Sequence, residues 1–362
     1  MKSTTRAALF LATLTMVSLL AAACGDGEDT TPTPATGATA ASPITSASVP
    51  ETALTPVVVG NIPVLIYGPI MIAKDKGYFE QYGLDVQFET LAGGSDMVTL
   101  TANGDFDIGI GGTGPAYFNA TDAGFDLKIV APLHFEREPQ ATPLMVSKER
   151  FDSGELNSVA DLAGRKVSVN APGATEYWLS TALEGGGLAI EDIDLQYLPF
   201  PDVPAALDSG ALDGAMLGEP IATRAEQEGL AVRLDVDFPE DFQPTFVWVN
   251  PDFAEESPDL VTGFMAGMLR GCRDLRADDW NSDENLAILN AYTNVDVELI
   301  RESARTYCEP NGEINIEDLT TLQEFFMERG LLEYDEPIDV TTLVDTQYVT
   351  DALDEIGPSD ID

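Results

Sequence analysis

Val57-Val58-Val59, then Pro69 to Tyr82, then Leu84-Asp85-Val86-Gln87-Phe88 is the stretch on which the fold turns. Three valines in a row read as a buried strand. From Pro69 to Tyr82, Ile72, Lys76 and Phe79 follow one another at helical spacing, and Leu84–Phe88 alternates as a strand does. Strand, helix, strand in one run is a βαβ unit with a parallel pair. The rhythm continues. Gly93-Gly94-Ser95-Asp96 opens a helix through Ala102, and Ile108-Gly109-Ile110 is a strand running into Gly111-Gly112-Thr113-Gly114-Pro115. A helix follows from Ala116 to Ala123, then a strand at Leu127–Ala131. The class is α/β, a mostly parallel sheet with helices on both faces.

The pattern then restarts. Val159–Leu162 is a short helix, Lys166–Asn170 a strand, Ala174–Leu183 a helix, Leu195–Leu198 a strand, Val203–Asp208 a helix and Gly214–Leu217 a strand. Gly104-Asp105-Phe106-Asp107-Ile108-Gly109 and Gly210-Ala211-Leu212-Asp213-Gly214-Ala215 are alike: a Gly ends a helix, an apolar residue follows, an Asp introduces the strand. One such unit in each half suggests two similar α/β lobes. Thr142–Lys148 and Pro244–Val249 are apolar and extended, and sit where the chain would cross between them. This assigns 57–146 with 247–362 to the first lobe and 147–246 to the second. Beyond Pro251, Leu260–Leu275, Asn285–Tyr292, Val297–Tyr307 and Ile316–Arg329 have helical periodicity.

The 362 residues carry 18 Lys+Arg and 62 Asp+Glu, a net charge of −44. That balance speaks against nucleic acid, whose phosphates need a basic face. With one His and three Cys, neither a multi-His metal site nor a catalytic dyad is expected, and no cofactor or metal is. Lys2 and Arg6 precede an apolar stretch, Ala7–Ala23, that ends in Leu20-Ala21-Ala22-Ala23-Cys24. This is a signal-peptide pattern over 1–23, and a Cys directly after small residues resembles the bacterial lipobox. Cys24 is the expected lipidation site, and two or more acyl chains would suffice for stable anchoring. Residues 24–56 read as the lipidated Cys and a disordered Thr/Pro/Ala/Ser/Gly tether. The protein is then exported and held at the outer face of the cell membrane by lipid alone. Cys272 and Cys308 remain. In an exported chain they form either a disulfide or two buried thiols, and the compartment favours the bridge.

Ile72-Ala73-Lys74-Asp75-Lys76-Gly77-Tyr78-Phe79-Glu80 followed by Gly83-Leu84-Asp85-Val86 resembles the opening of nitrate/sulfonate/taurine-type solute-binding proteins, whose pattern is A-K-x-K-G-Y-F … G-L-x-V. Gly93-Gly94-Ser95, Asp107-Ile108-Gly109, Val159 to Val167, Pro172-Gly173-Ala174-Thr175, the Asp213 unit and Glu219-Pro220 match in order as well. The resemblance covers Val57 to about Pro251. It implies a type II periplasmic-binding fold, two α/β lobes joined by two crossovers with C-terminal helices. It further implies a monomeric solute-binding lipoprotein that delivers a small molecule to an ATP-binding-cassette permease and its ATPase. The same superfamily holds thiamine-pyrimidine-synthase-like enzymes, which offer an alternative function. Those resemble a site with reactive His and Lys and a Cys-rich motif, whereas here Cys272 and Cys308 lie far along the chain and no Lys is near His134.

In open α/β sheets, ligands bind beyond the carboxyl ends of the strands, where helix N-termini offer free N–H groups. Three Gly turns fit: Gly94 and Ser95 in the first, Gly112 and Thr113 in the second, Ala174 and Thr175 after the third. Neither a GxGxxG fingerprint nor a P-loop lysine is present. Asn61, Tyr67, Tyr117, Tyr177 and Trp178 are candidate walls. Tyr177 and Trp178 are adjacent, so on a helix both cannot face the cleft squarely. His134 follows a strand end, and Glu219 follows the strand Gly214–Leu217 as a possible acceptor for an amine or aminopyrimidine. Glu176 and Glu219 would place negative charge beside the site, which favours a neutral or cationic nitrogenous ligand such as a pyrimidine over a sulfonate, taurine or nitrate.

Overall fold

The computed structural model describes residues 53–91, 96–276 and 279–361. The expected signal segment, Cys24, the tether, Gly94 and Ser95 lie outside the described residues. The chain runs β1 (Thr55–Asn61), α1 (Gly68–Asp75), β2 (Leu84–Thr90), α2 (Met97–Ala102), β3 (Ile108–Gly112), α3 (Pro115–Asp122), β4 (Lys128–His134). It then crosses to β5 (Leu144–Ser147), α4 (Lys148–Asp152), β6 (Lys166–Val169), α5 (Ala174–Gly185), β7 (Asp194–Tyr197), α6 (Val203–Asp208), β8 (Gly214–Met216), α7 (Ile221–Gln227) and β9 (Ala231–Arg233). It returns as β10 (Thr245–Val249) and ends in α8 (Pro251–Glu256), α9 (Pro258–Arg276), α10 (Asp283–Thr293), α11 (Val297–Glu302), α12 (Ile316–Glu328) and α13 (Gln347–Ile356).

Among the described residues the strands form two five-stranded sheets, ordered β2-β1-β3-β10-β4 and β7-β6-β8-β5-β9. The two orders are equivalent. In the first, β1 pairs in parallel with β2 and β3, and β10 lies antiparallel between β3 and β4. In the second, β6 pairs in parallel with β7 and β8, and β5 lies antiparallel between β8 and β9. Each sheet thus takes its antiparallel strand from the chain just after a crossover. The repeated Gly/Asp unit has a matching role in both. Asp107 Oδ2 accepts from the Val58 N–H at 2.7 Å, and Asp213 Oδ2 accepts from the Lys166 N–H at 2.8 Å. Each aspartate fastens a third strand to the first, and Gly104 and Gly210 before them take φ of 80° and 71°, where a side chain would strain.

Four boundaries differ from the sequence reading. The crossovers run through 135–143 and 234–244, so the expected lobe limits at 146/147 and 246/247 cut strands β5 and β10. A strand buried on both faces is as apolar as a linker between lobes, so composition does not separate them. The helix expected over 69–82 ends at Asp75, because Gly77 turns the chain at φ 69°. The helix expected over 297–307 ends at Glu302. Ser303 is extended (ψ 152°), and Tyr307 instead bridges to Phe135 in the first crossover.

The C-terminal helices complete the first lobe. Helix α9 packs on α1 so closely that a Cβ on Gly271 would come within 2.1 Å of the Pro69 carbonyl oxygen. Phe79 stacks on Phe264 with centroids 4.8 Å apart. Cys272 and Cys308 are joined as a disulfide, tying α9 to the chain that bridges to the crossover. No helix among the described residues is long and apolar enough to cross a membrane.

Candidate functional site

The parallel strands of both sheets end toward one cavity between the lobes. It encloses about 90 Å³, several times what one water needs. The first lobe contributes Ile62, Val64 and Tyr67 after β1, Gly112, Gly114 and Ala116 after β3, and His134 at the end of β4. The second contributes Asn170 to Thr175 after β6, Trp178 on α5, and Phe200 after β7. The first turns of α3 and α5 come from different lobes and meet here. Gly114, the N-cap of α3, lies so close to the turn before α5 that a Cβ on it would sit 2.8 Å from the Pro172 carbonyl oxygen and 3.0 Å from the Gly173 Cα. Two sets of helix N-terminal N–H groups therefore flank one cavity. Among the described residues no Lys, Arg, Asp or Glu lines it.

The predicted residues divide. Tyr67, Gly112, Tyr117, His134, Ala174 and Thr175 line the cavity. The tyrosines contribute rings only: Tyr67 donates its hydroxyl to the Ile110 carbonyl and Tyr117 to that of Leu127, both at 2.8 Å. Burial pushes both phenols well above their ordinary pKa. Thr113 is buried beside the cavity rather than in its lining, and its Oγ1 makes no hydrogen bond. Asn61 is also outside the lining and accepts from the Thr90 hydroxyl at 3.0 Å. Tyr177 faces away, its ring against Phe242 and Phe325. Its neighbour Trp178 takes the cavity side instead, 4% exposed, with Nε1 making no hydrogen bond. The rotation of about 100° between adjacent helical residues forces such a choice, and only packing against α12 decides it.

Glu219 is a correction. It is buried at 1% exposure but does not line the cavity. Its carboxylate accepts from the Thr223 N–H (3.1 Å) and hydroxyl (2.9 Å) in the first turn of α7, from Arg233, and from the Ala304 N–H of the opposite lobe (3.3 Å). Helix capping and a buried ion pair use it up. Glu176 is likewise spent: wholly buried, it accepts from Arg329 Nε and Nη2, each at 3.1 Å, and from the Tyr197 hydroxyl at 2.9 Å. Neither carboxylate presents free charge to the cavity, so the electrostatic reason for preferring a neutral or cationic ligand falls away.

His134 is 2% exposed, and neither ring nitrogen makes a hydrogen bond. Its Nε2 lies 3.7 Å from Glu136 Oε1, and its ring meets Trp178 edge-on at 6.3 Å. Glu136 is held by the Ala141 N–H at 2.8 Å, within the first crossover. Buried polar atoms are rarely left without partners, and His134 and Trp178 are the lining residues among those described whose buried side-chain nitrogens make no hydrogen bond. Of the adjacent pair the sequence reading kept Tyr177, whereas Trp178 is the member that lines the cavity. Phe200, Asn170 and Thr142 it missed entirely, for none follows a recognisable glycine turn. No group of three or more His, Cys, Asp or Glu among the described residues could hold a metal ion.

A family model described as NMT1/THI5 like matches residues 67–279. The chain is 27% identical over 199 residues to the taurine-binding periplasmic protein of Escherichia coli (strain K12), covering 54% of this chain and 59% of that protein. It is 25% identical over 300 residues to a putative aliphatic sulfonates-binding protein of Bacillus subtilis (strain 168), covering 79% and 85%. Among solved structures, the alkanesulfonate-binding protein SsuA from Xanthomonas axonopodis pv. citri, bound to MOPS, superposes with a TM-score of 0.67 at 18% identity, covering 81% of this chain and 99% of that one. The fold is that of a periplasmic binding protein.

Proposed function

The chain belongs to the NMT1/THI5-like family, and on that premise we propose that it captures a small oxyanion-bearing solute outside the cytoplasm for an ABC importer. The carrying observation is the meeting of α3 and α5 N-termini, one from each lobe, around a cavity without a charged carboxylate in its lining. Helix N-termini bind anions through N–H groups and the dipole together. A solute touching both lobes stabilises the closed arrangement, and crossovers 135–143 and 234–244 are the hinges. The relatives' printed substrates, taurine and aliphatic sulfonates, agree with this chemistry. Titrating the purified protein with taurine, methanesulfonate, nitrate and an aminopyrimidine tests it. Saturable binding of an anion, and none of the pyrimidine, is expected; the reverse preference overturns it.

The proposal extends to a protein that makes no bonds, is anchored through Cys24, works as a monomer and meets a permease with its ATPase. The small residues before Cys24 support the anchor. Mass spectrometry of the mature N-terminus tests that part, and an unmodified terminus downstream of Cys24 would refute it. Conversion of any of the four solutes on incubation would refute the non-enzymatic reading.

A further inference from the structure

We propose that Arg329, which does not touch the cavity, sets the charge of the solute the cleft accepts. The inference rests on the oxyanion reading above. Glu176 stands in the first turn of α5, at 0% exposure. A carboxylate there draws on the same N-terminal N–H groups and dipole that an anionic solute would use. Left alone, it would compete with the solute and repel it through a poorly screened interior. Among the described residues no Lys or Arg in the cavity lining offsets that charge.

The offset comes from behind. Arg329 caps the C-terminal end of α12 and donates through Nε and Nη2 to Glu176 Oε1, while the Tyr197 hydroxyl donates to Oε2. The same segment is fastened to the helix on the opposite side of the cleft. Phe326 packs on Phe118 of α3 at 6.2 Å, the Asn119 side chain donates to the Leu331 carbonyl, and the Glu333 N–H donates back to Asn119. Helix α12 and the chain after it thus reach the middle of α3 and the first turn of α5, and Arg329, which also pairs with Glu191, neutralises the carboxylate in that first turn. Two buried side chains of the lining, His134 and Trp178, make no hydrogen bond through their nitrogens, His134 Nε2 having only Glu136 Oε1 at 3.7 Å, and they complete a setting suited to oxygen acceptors. Arg329 is a positioning residue that acts through Glu176.

The test is a charge cycle on the full chain. Methanesulfonate and its neutral isostere dimethyl sulfone are titrated against wild type, R329Q, R329K, E176Q and the E176Q/R329Q double variant. R329Q should weaken methanesulfonate on the order of tenfold and leave the sulfone unchanged, with R329K restoring most of the loss. E176Q should tighten methanesulfonate, and the double variant should return to near the wild-type value. A merely structural role predicts the opposite for E176Q: both single variants weaken both ligands alike, and that result overturns the inference even if R329Q folds poorly. Wild type that binds no methanesulfonate overturns this inference together with the oxyanion reading. Wild-type binding with R329Q unaffected overturns this inference alone.

Discussion

Gly114→Ala should hold the lobes apart without disturbing either one. Gly114 has φ −142° and ψ −175°, extended backbone that alanine adopts freely. The added methyl meets only the other lobe's backbone, at 2.8 Å from the Pro172 oxygen and 3.0 Å from the Gly173 Cα. Neither atom can rotate away as a side-chain tip could. The interface must open by about 0.6 Å, from 2.8 Å to the 3.4 Å at which ordinary contact begins. A gap of 0.5–1 Å forfeits roughly a quarter to a half of each dispersion contact across it. Overpacking of this kind costs about 1–3 kcal/mol, which falls wholly on the closed state. Solute affinity should therefore drop about 5- to 150-fold, while the melting temperature of the solute-free protein stays near that of wild type if its lobes are free to part. Titration gives the first quantity, thermal denaturation the second, and small-angle scattering the failure to contract on adding solute. Wild-type affinity with normal contraction in the variant would mean that closure does not bring these two turns together.

Glu219→Ala should destabilise the solute-free protein by about 3 kcal/mol, since it strips Arg233 and the first turn of α7 of their partner; a ligand-contact role would instead spare the melting temperature and reduce affinity. Burial pushes the Asp318 carboxyl from 3.8 up to about 6, against the opposing hydrogen bond from the Gln243 N–H. Its neutral form is favoured in the folded state, so this contribution is fully present below about pH 3.8 and is lost as pH rises through about 6. Urea denaturation of wild type against Asp318→Asn should show that extra slope, at most about 1.4 kcal/mol per pH unit, and parallel curves would contradict it. Replacing Cys272 and Cys308 by Ser should cost about 3–4 kcal/mol for a sequence separation of 36, read as a fall in the denaturation midpoint; an unchanged midpoint would mean that the tie from α9 to the Tyr307 bridge adds nothing.

Much of the fold lay in local patterns. The change between two-residue and helical periodicity marked strands and helices in both halves, and the paired Gly/Asp units marked the two lobes. Those aspartates could be found because each stands directly before its own strand, although the N–H it accepts from lies on another strand, 49 residues back for Asp107 and 47 for Asp213. Glycine turns at strand ends pointed to Gly112, Ala174 and Thr175, since ligands in such sheets gather where the strands stop. Strands β5 and β10 were legible as apolar, extended segments crossing between the lobes, not as members of a particular sheet. Their hydrogen-bond partners lie about 70 or more residues away in sequence, and an apolar run carries no mark of its neighbour.

The chain by itself determined the order of elements, the duplicated architecture and the edge at which a solute should be sought, because each depends on residues near one another in sequence. Only the tertiary structure decided which ring of the Tyr177–Trp178 pair enters the cavity and what becomes of Glu176 and Glu219. Arg329 stands 153 residues from Glu176, and Arg233 stands 14 from Glu219. A carboxylate's effect on a binding site depends on the cation packed against it, and for Glu176 that cation arrives only once α12 has folded back onto α5.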